Sequence, residues 1–262
     1  MPPTPPAPME SLATFRLPST DALAGTALDL RLEGGGRLLL EVGERTAAWQ
    51  ADGRDWAGSG DDPVDVVEAA PGTFFIDVDF TEFVRAQEAV TVVVAPATGW
   101  ALVIHQERFH PEETWSRGPE IRHEFTAARI HGVEQTGDAP APTRDLIGRR
   151  HLYRYSPKNL YEHIYINSQK FVGHNVSTTG TPGRADCHLI THYRFADDVY
   201  VVGWREYDSG SAMVALLDLD ALRTTAKVLH PEGFLHAVSR GIGGHIIPVG
   251  ESPDYPDGLQ PI

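Results

Sequence analysis

The sequence predicts an all-β chain folded as an antiparallel barrel or sandwich in two lobes. Runs rich in Val, Ile, Thr and aromatic residues recur along its 262 residues, with convincing helices nearly absent. Turn chemistry falls between the runs, as at Gly34-Gly35-Gly36, Pro96-Ala97-Thr98-Gly99 and Asp208-Ser209-Gly210. Two halves of the chain also echo each other. Leu23-Ala24-Gly25 and Leu146-Ile147-Gly148 lie 123 positions apart, the Thr73–Phe80 and Val199–Glu206 runs 126 apart, and Thr98-Gly99-Trp100 falls opposite Thr224-Thr225-Ala226. An internal duplication explains the echo; chance matching of strand patterns is the alternative.

Residues 1–20 open with a Pro-rich stretch and read as a disordered or extended tail. Strands of an amino-terminal lobe, 21–136, follow at Thr26–Glu33, Arg37–Val42, Val64–Glu68, Thr73–Phe80, Val90–Ala95, Trp100–Gln106 and Ile121–Ile130, with one or two helical turns at Thr81–Glu88. Residues 137–143 read as a linker. The carboxy-terminal lobe, 144–247, offers His151–Tyr155, Tyr161–Asn167, Lys170–Val176, Cys187–Phe195, Val199–Glu206, Met213–Asp218, Thr224–Leu229 and Ile242–Ile247, with a short turn-like bridge at Asp218–Leu222. Residues 248–262 are again Pro-rich and read as a tail.

Composition narrows the function classes. The formal net charge of −14 disfavours phosphate backbones and anionic lipid, so neither nucleic acid nor membrane is an expected partner. The one cysteine, Cys187, excludes an internal disulfide and a Cys-rich zinc site. No apolar run is long enough to span a bilayer and the first ten residues lack the pattern of a secretory signal, so a cytoplasmic protein is expected. Only 3 of the 22 basic residues are lysine, a bias that points to a GC-rich bacterial genome and leaves the chemistry open. P-loop, HExxH and G-x-S-x-G are absent, and Gly241-Ile242-Gly243-Gly244-His245-Ile246 is not a dinucleotide fingerprint. No metal or other cofactor is expected.

The chemistry-bearing residues concentrate in the second lobe. Strand alternation places Tyr161, His163, Tyr165 and Asn167 on one face, with Glu162 among Ile164 and Ile166 on the other. Inside a barrel the first face would line a cavity with hydrogen-bonding groups around an apolar body; outside one it would be a wet surface. The apolar face makes Glu162 costly unless paired, with Arg154 or Arg205 as partner. His188, Ile190 and His192 share a face, and His174 lies on another strand. Two histidines four apart on a strand stand roughly 13 Å apart, too far to share a metal. Glu206 beside Trp204 is either a desolvated acid–base group or a surface carboxylate at a strand end. Asp77 and Asp79 are expected to face water.

The run Tyr153-x-Tyr155-Ser156-Pro157, continuing to Tyr161-Glu162-His163-Ile164-Tyr165-Ile166-Asn167, resembles the signature of the MoaF family, named for an association with molybdenum cofactor biosynthesis. Trp204-x-Glu206 and Leu217-Asp218-Leu219 through Lys227 resemble its carboxy-terminal half, and Leu23-Ala24-Gly25 through Phe80 its amino-terminal half. The chain departs from the family at Phe171-Val172-Gly173-His174, where an aromatic–Trp pair is usual, and after Glu206, where the acidic–aromatic segment is shorter. The resemblance implies two calycin- or lipocalin-like antiparallel barrels and says little about reaction.

Together these residues point to an enzyme that binds a small aromatic or conjugated acid and performs decarboxylation, isomerisation, dehydration or cyclisation by acid–base chemistry. His163, Glu206, Tyr155 and Tyr165 are the catalytic candidates, His163 because its free pKa lies near neutrality. Tyr153, Tyr161, Asn167, His174, His188, His192, Trp204 and Arg205 are the binding candidates. The alternatives are a lipocalin-like carrier of a reactive intermediate, which needs the same pocket without a perturbed acid or base, and a filled structural barrel. A homodimer is compatible with all three.

Overall fold

The computed structural model describes residues 12–81, 87–108, 121–178, 180–207, 209–232 and 237–252. Eight antiparallel strands close the first barrel in sequence order: β1 Thr26–Leu32, β2 Arg37–Val42, β3 Thr46–Asp52, β4 Gly58–Ala70, β5 Thr73–Asp79, β6 Glu88–Ala95, β7 Trp100–Arg108 and β8 Ile121–Ile130. Closure comes from β1 against β8, Leu30 opposite Ile130. Alternate residues of these strands, such as Leu38, Leu40 and Val42, fill most of the interior with hydrocarbon, and the buried Asp62 carboxylate accepts a 2.7 Å hydrogen bond from the Trp49 indole.

A second closed barrel repeats the plan with β10 Arg149–Arg154, β11 Leu160–Tyr165, β12 Lys170–Asn175, β13 Ala185–Ala196, β14 Val199–Arg205, β15 Ala212–Asp218, β16 Arg223–Pro231 and β17 Ala237–Glu251. The two-residue β9, Ala141–Pro142, adds onto the outside of β13. Thus the stretch read as a linker carries a strand, and β17 runs four residues into the stretch read as a tail. The expected helical turns at Thr81–Glu88 fall largely outside the described residues.

The echo between halves has a backbone counterpart. Gly25 and Gly148 are both left-handed, and their N–H groups donate to Val42 and Tyr165, the last residues of β2 and β11. Gly72 and Asp198 are left-handed in the turns before β5 and β14, as are Gly99 and Leu222 before β7 and β16. Trp100 therefore corresponds to Arg223, three residues from the match expected by sequence, because turn geometry rather than side-chain likeness sets the equivalence.

The barrels pack side by side on a shared apolar layer that includes Phe75, Val93 and Ile104 of the first and Val201, Val214 and Leu216 of the second. Asp77 lies in this contact. It is buried and takes a salt bridge from Lys227 and a 3.0 Å hydrogen bond from Ser239. The expectation that Asp77 faces water fails because the second barrel covers that face of β5.

Candidate functional site

The register of the second barrel builds a polar–aromatic interior. Tyr153 pairs with Tyr161 and His151 with His163 across β10 and β11, while Phe171 pairs with His188 across β12 and β13, and Ile190 with Trp204 across β13 and β14. His163 sits at the centre, its ring 4.4 Å from Tyr153, 4.9 Å from Phe171 and edge-on to Trp204 at 5.1 Å. A cavity of about 300 Å³ opens on one side of it, walled by Tyr155, Tyr161, Phe171, His188 and Trp204, with Glu206 also on its lining. Leu12, Val228 and Ile242 supply apolar wall.

Burial sets the protonation of this wall. Desolvation pulls His163 down to about 3, with His151 and His188 adding repulsion, so the imidazole is neutral near pH 7. The near-neutral free pKa behind the expected acid–base role is thus displaced by burial, and the form favoured here is a neutral hydrogen-bonding imidazole. Its Nδ1 and that of His188 have no hydrogen-bond partner. Burial pushes the Tyr155 phenol up, and burial together with the nearby Glu206 carboxylate does the same for Tyr161, so both phenols keep their protons. Glu206 follows β14 half-buried and accepts a 2.5 Å hydrogen bond from Ser209.

The structure thus gathers His163, Glu206, Tyr155, Tyr161, His188 and Trp204 on one cavity. Tyr153 and Tyr165 lie in the same interior but off the cavity lining, their hydroxyls joined at 2.6 Å. His192 is buried beside Tyr165, also off the lining, with no hydrogen-bond partner at either ring nitrogen. Burial pulls it down to about 4.

Three expected binding residues face elsewhere. Asn167 lies beyond the end of β11 and accepts from the Gln169 N–H at 2.9 Å, because the strand stops at Tyr165 to turn. His174 stands on the outer face, 3.1 Å from Glu162. Arg205 alternates away from Trp204, toward the first barrel, where its charge helps depress His123. Glu162 is indeed paired, but by Arg150 and His174 rather than Arg154 or Arg205, since register places Leu152 between them on β10 and His174 opposite on β12.

Sequence reasoning missed Ser211, His230, Met213 and Leu12, all on the cavity wall. Alternation along β16 could have found His230, which follows the buried Ala226 and Val228 at a period of two. Leu12 had no such signal, being outside any strand. Among the described residues, no cluster of three His, Cys, Asp or Glu has metal-binding geometry, and no helix is long and apolar enough to cross a membrane.

Comparison with known proteins gives two consistent findings. Residues 8–107 match the MoaF N-terminal domain and residues 140–251 the MoaF C-terminal domain. Protein MoaF of Klebsiella aerogenes is 27% identical over 199 residues, covering 72% of this chain and 71% of that protein. Among solved structures, a "putative beta-lactamase" from Burkholderia vietnamiensis superposes with a TM-score of 0.35 at 14% identity, over 42% of this chain and 100% of that one. With both of its halves matched in order, one on each barrel, the chain belongs to the MoaF family.

Proposed function

We propose that the second barrel is the active site of a small-molecule enzyme that uses cofactor-independent acid–base chemistry on a compact aromatic or conjugated acid. The carrying observation is the cavity of about 300 Å³ lined by two carboxylates, Asp186 and Glu206, of which Asp186 is paired with Arg184, while Glu206 shares the lining with protonated phenols and the neutral His163 imidazole. A ring of the substrate lies against Trp204 and Phe171. Its carboxylate points toward Arg184, which lines the cavity and is paired there with Asp186. Tyr155 and Tyr161 donate hydrogen bonds to a carbonyl or phenolate oxygen on which charge develops, as fixed donors in a water-poor site. His163 polarises the same group as a neutral imidazole, and Glu206 takes or returns the proton. Decarboxylation, isomerisation, dehydration and ring closure all need this set.

A carrier of a reactive intermediate is the second reading, favoured by the neutral state of His163 beside the cavity. Mass spectrometry of the protein under native conditions identifies any co-purified molecule, and incubation of that molecule with wild type and Glu206→Gln separates the readings. The enzyme reading expects product from wild type alone, with at least a hundredfold loss in the variant. Retention of the molecule unchanged by both proteins supports the carrier instead.

A further inference from the structure

At the mouth of the second barrel Ala212 pairs with Leu229, which sets Ser211 beside His230 across the β15–β16 ladder. The Ser211 hydroxyl and His230 Nδ1 are 2.7 Å apart, and both residues line the cavity. Ser211 is only 6% exposed, whereas His230 reaches solvent. The backbone of Ser211 is held without help from its own side chain. Its N–H donates to Ser209 Oγ at 3.0 Å and its C=O accepts from Glu206 N–H at 2.9 Å. A buried hydroxyl aimed at an imidazole on the wall of an aromatic cavity is the first half of a nucleophilic site.

We propose that Ser211 and His230 form a nucleophile–base pair that cleaves small carboxylic esters entering this cavity, an activity separate from the proton shuttling assigned to Glu206. With the Nε2–H tautomer, the Ser211 hydroxyl donates to Nδ1. Oγ bonds to the carbonyl carbon as its proton passes to Nδ1. The bond to the leaving alcohol breaks, and the alcohol oxygen takes that proton. Water then attacks the acyl-serine, giving one proton to Nδ1. The acyl–Oγ bond breaks, Oγ is reprotonated from His230, and the carboxylic acid leaves. Tyr161, protonated and on the same wall, offers an O–H to the oxyanion.

The test incubates the full-length protein with p-nitrophenyl acetate, following nitrophenolate release and the site of acetylation by peptide mass spectrometry. Release at least tenfold above that of Ser211→Ala, an acetyl group on Ser211, and a comparable loss in His230→Gln are the expected results. No release above buffer, unchanged release by Ser211→Ala, or acetyl groups only on other residues overturns the pair. Titrating the intrinsic tryptophan fluorescence of the same variants with cinnamate keeps the two readings apart. Variants that bind cinnamate like wild type yet lose acylation support the pair and show that the barrel is intact. Acylation of Ser211 in a protein that ignores cinnamate sustains the pair and removes the aromatic-acid reading.

Discussion

His163 is held uncharged by what surrounds it: a phenol on one side, an indole edge on another, and no carboxylate in hydrogen-bonding contact. The same holds for His123, His151 and His192, which burial pulls down to about 3, 4 and 4. In the unfolded chain each would titrate near 6.5. Between that value and the folded one, the unfolded state binds protons that the folded state refuses, so stability falls as pH drops through this window. Each such histidine removes up to about 1.4 kcal/mol per pH unit there. Melting temperature is therefore expected to be level from pH 8 to 7 and to decline from pH 6.5 toward 4, the four histidines outweighing the single buried carboxyl of Asp77, which is raised to about 7 and opposes them. A flat profile in thermal melts would show that these rings are not buried neutral. His163→Phe is expected to keep the fold, reduce that slope by one histidine's share, and abolish turnover of the aromatic-acid substrate proposed for the second barrel.

At the level of the strand, Gly203 shows why β14 is built as it is. A Cβ there would lie 2.7 Å from both His123 Nδ1 and a Phe125 ring carbon of β8. The glycine lets the two barrels approach at that point. Gly203→Val is expected to cost about 1–3 kcal/mol by overpacking, read as a lowered midpoint in urea, while Gly173→Ala, whose nearest neighbour would be 3.5 Å away, has little effect. Most strands were legible because period-two alternation and β-branched residues mark them. β3 was missed because its inward residues are Ala47, Trp49 and Ala51, and alanine carries no strand signal. The inward face of β11 was legible for the same reason of alternation, and its end at Asn167 was not, since the turn back to Lys170 is fixed by backbone hydrogen bonds. Tyr165 could be assigned to the interior but not to its depth: which rung of a barrel is hollow depends on residues from all eight strands.

For the molecule as a whole, the contact between barrels hides an ion pair. Asp77 is pushed up by burial and by Asp79, against the pull of Lys227 and Ser239. Lys227→Met would strand the carboxylate in the interface, and a loss of about 3–5 kcal/mol is expected. Asp77→Leu combined with Lys227→Met should recover most of it, because neither charge then remains to be compensated; a double-mutant cycle in chemical denaturation checks this. Sequence alone placed Asp77 in water, since nothing in β5 records what packs against its outer face.

The segment at residues 12–16 joins the same two bodies by another route. Leu12 packs into the second barrel and forms part of the cavity wall. Phe15 donates to Tyr155 O at 3.0 Å and accepts from Arg223 at 2.6 Å. Arg16 crosses β17 at Gly241 and Gly243, where a Cβ would strike it, and ends in a salt bridge to Asp65 of the first barrel. The segment that supplies Leu12 to the cavity wall of one barrel is thus fastened to the other. Asp65→Ala, far from any bound molecule, is expected to speed its escape in stopped-flow fluorescence without changing the chamber itself. On the proposed reading of the second barrel, the residence time of its ligand would then depend on how the first barrel holds Arg16.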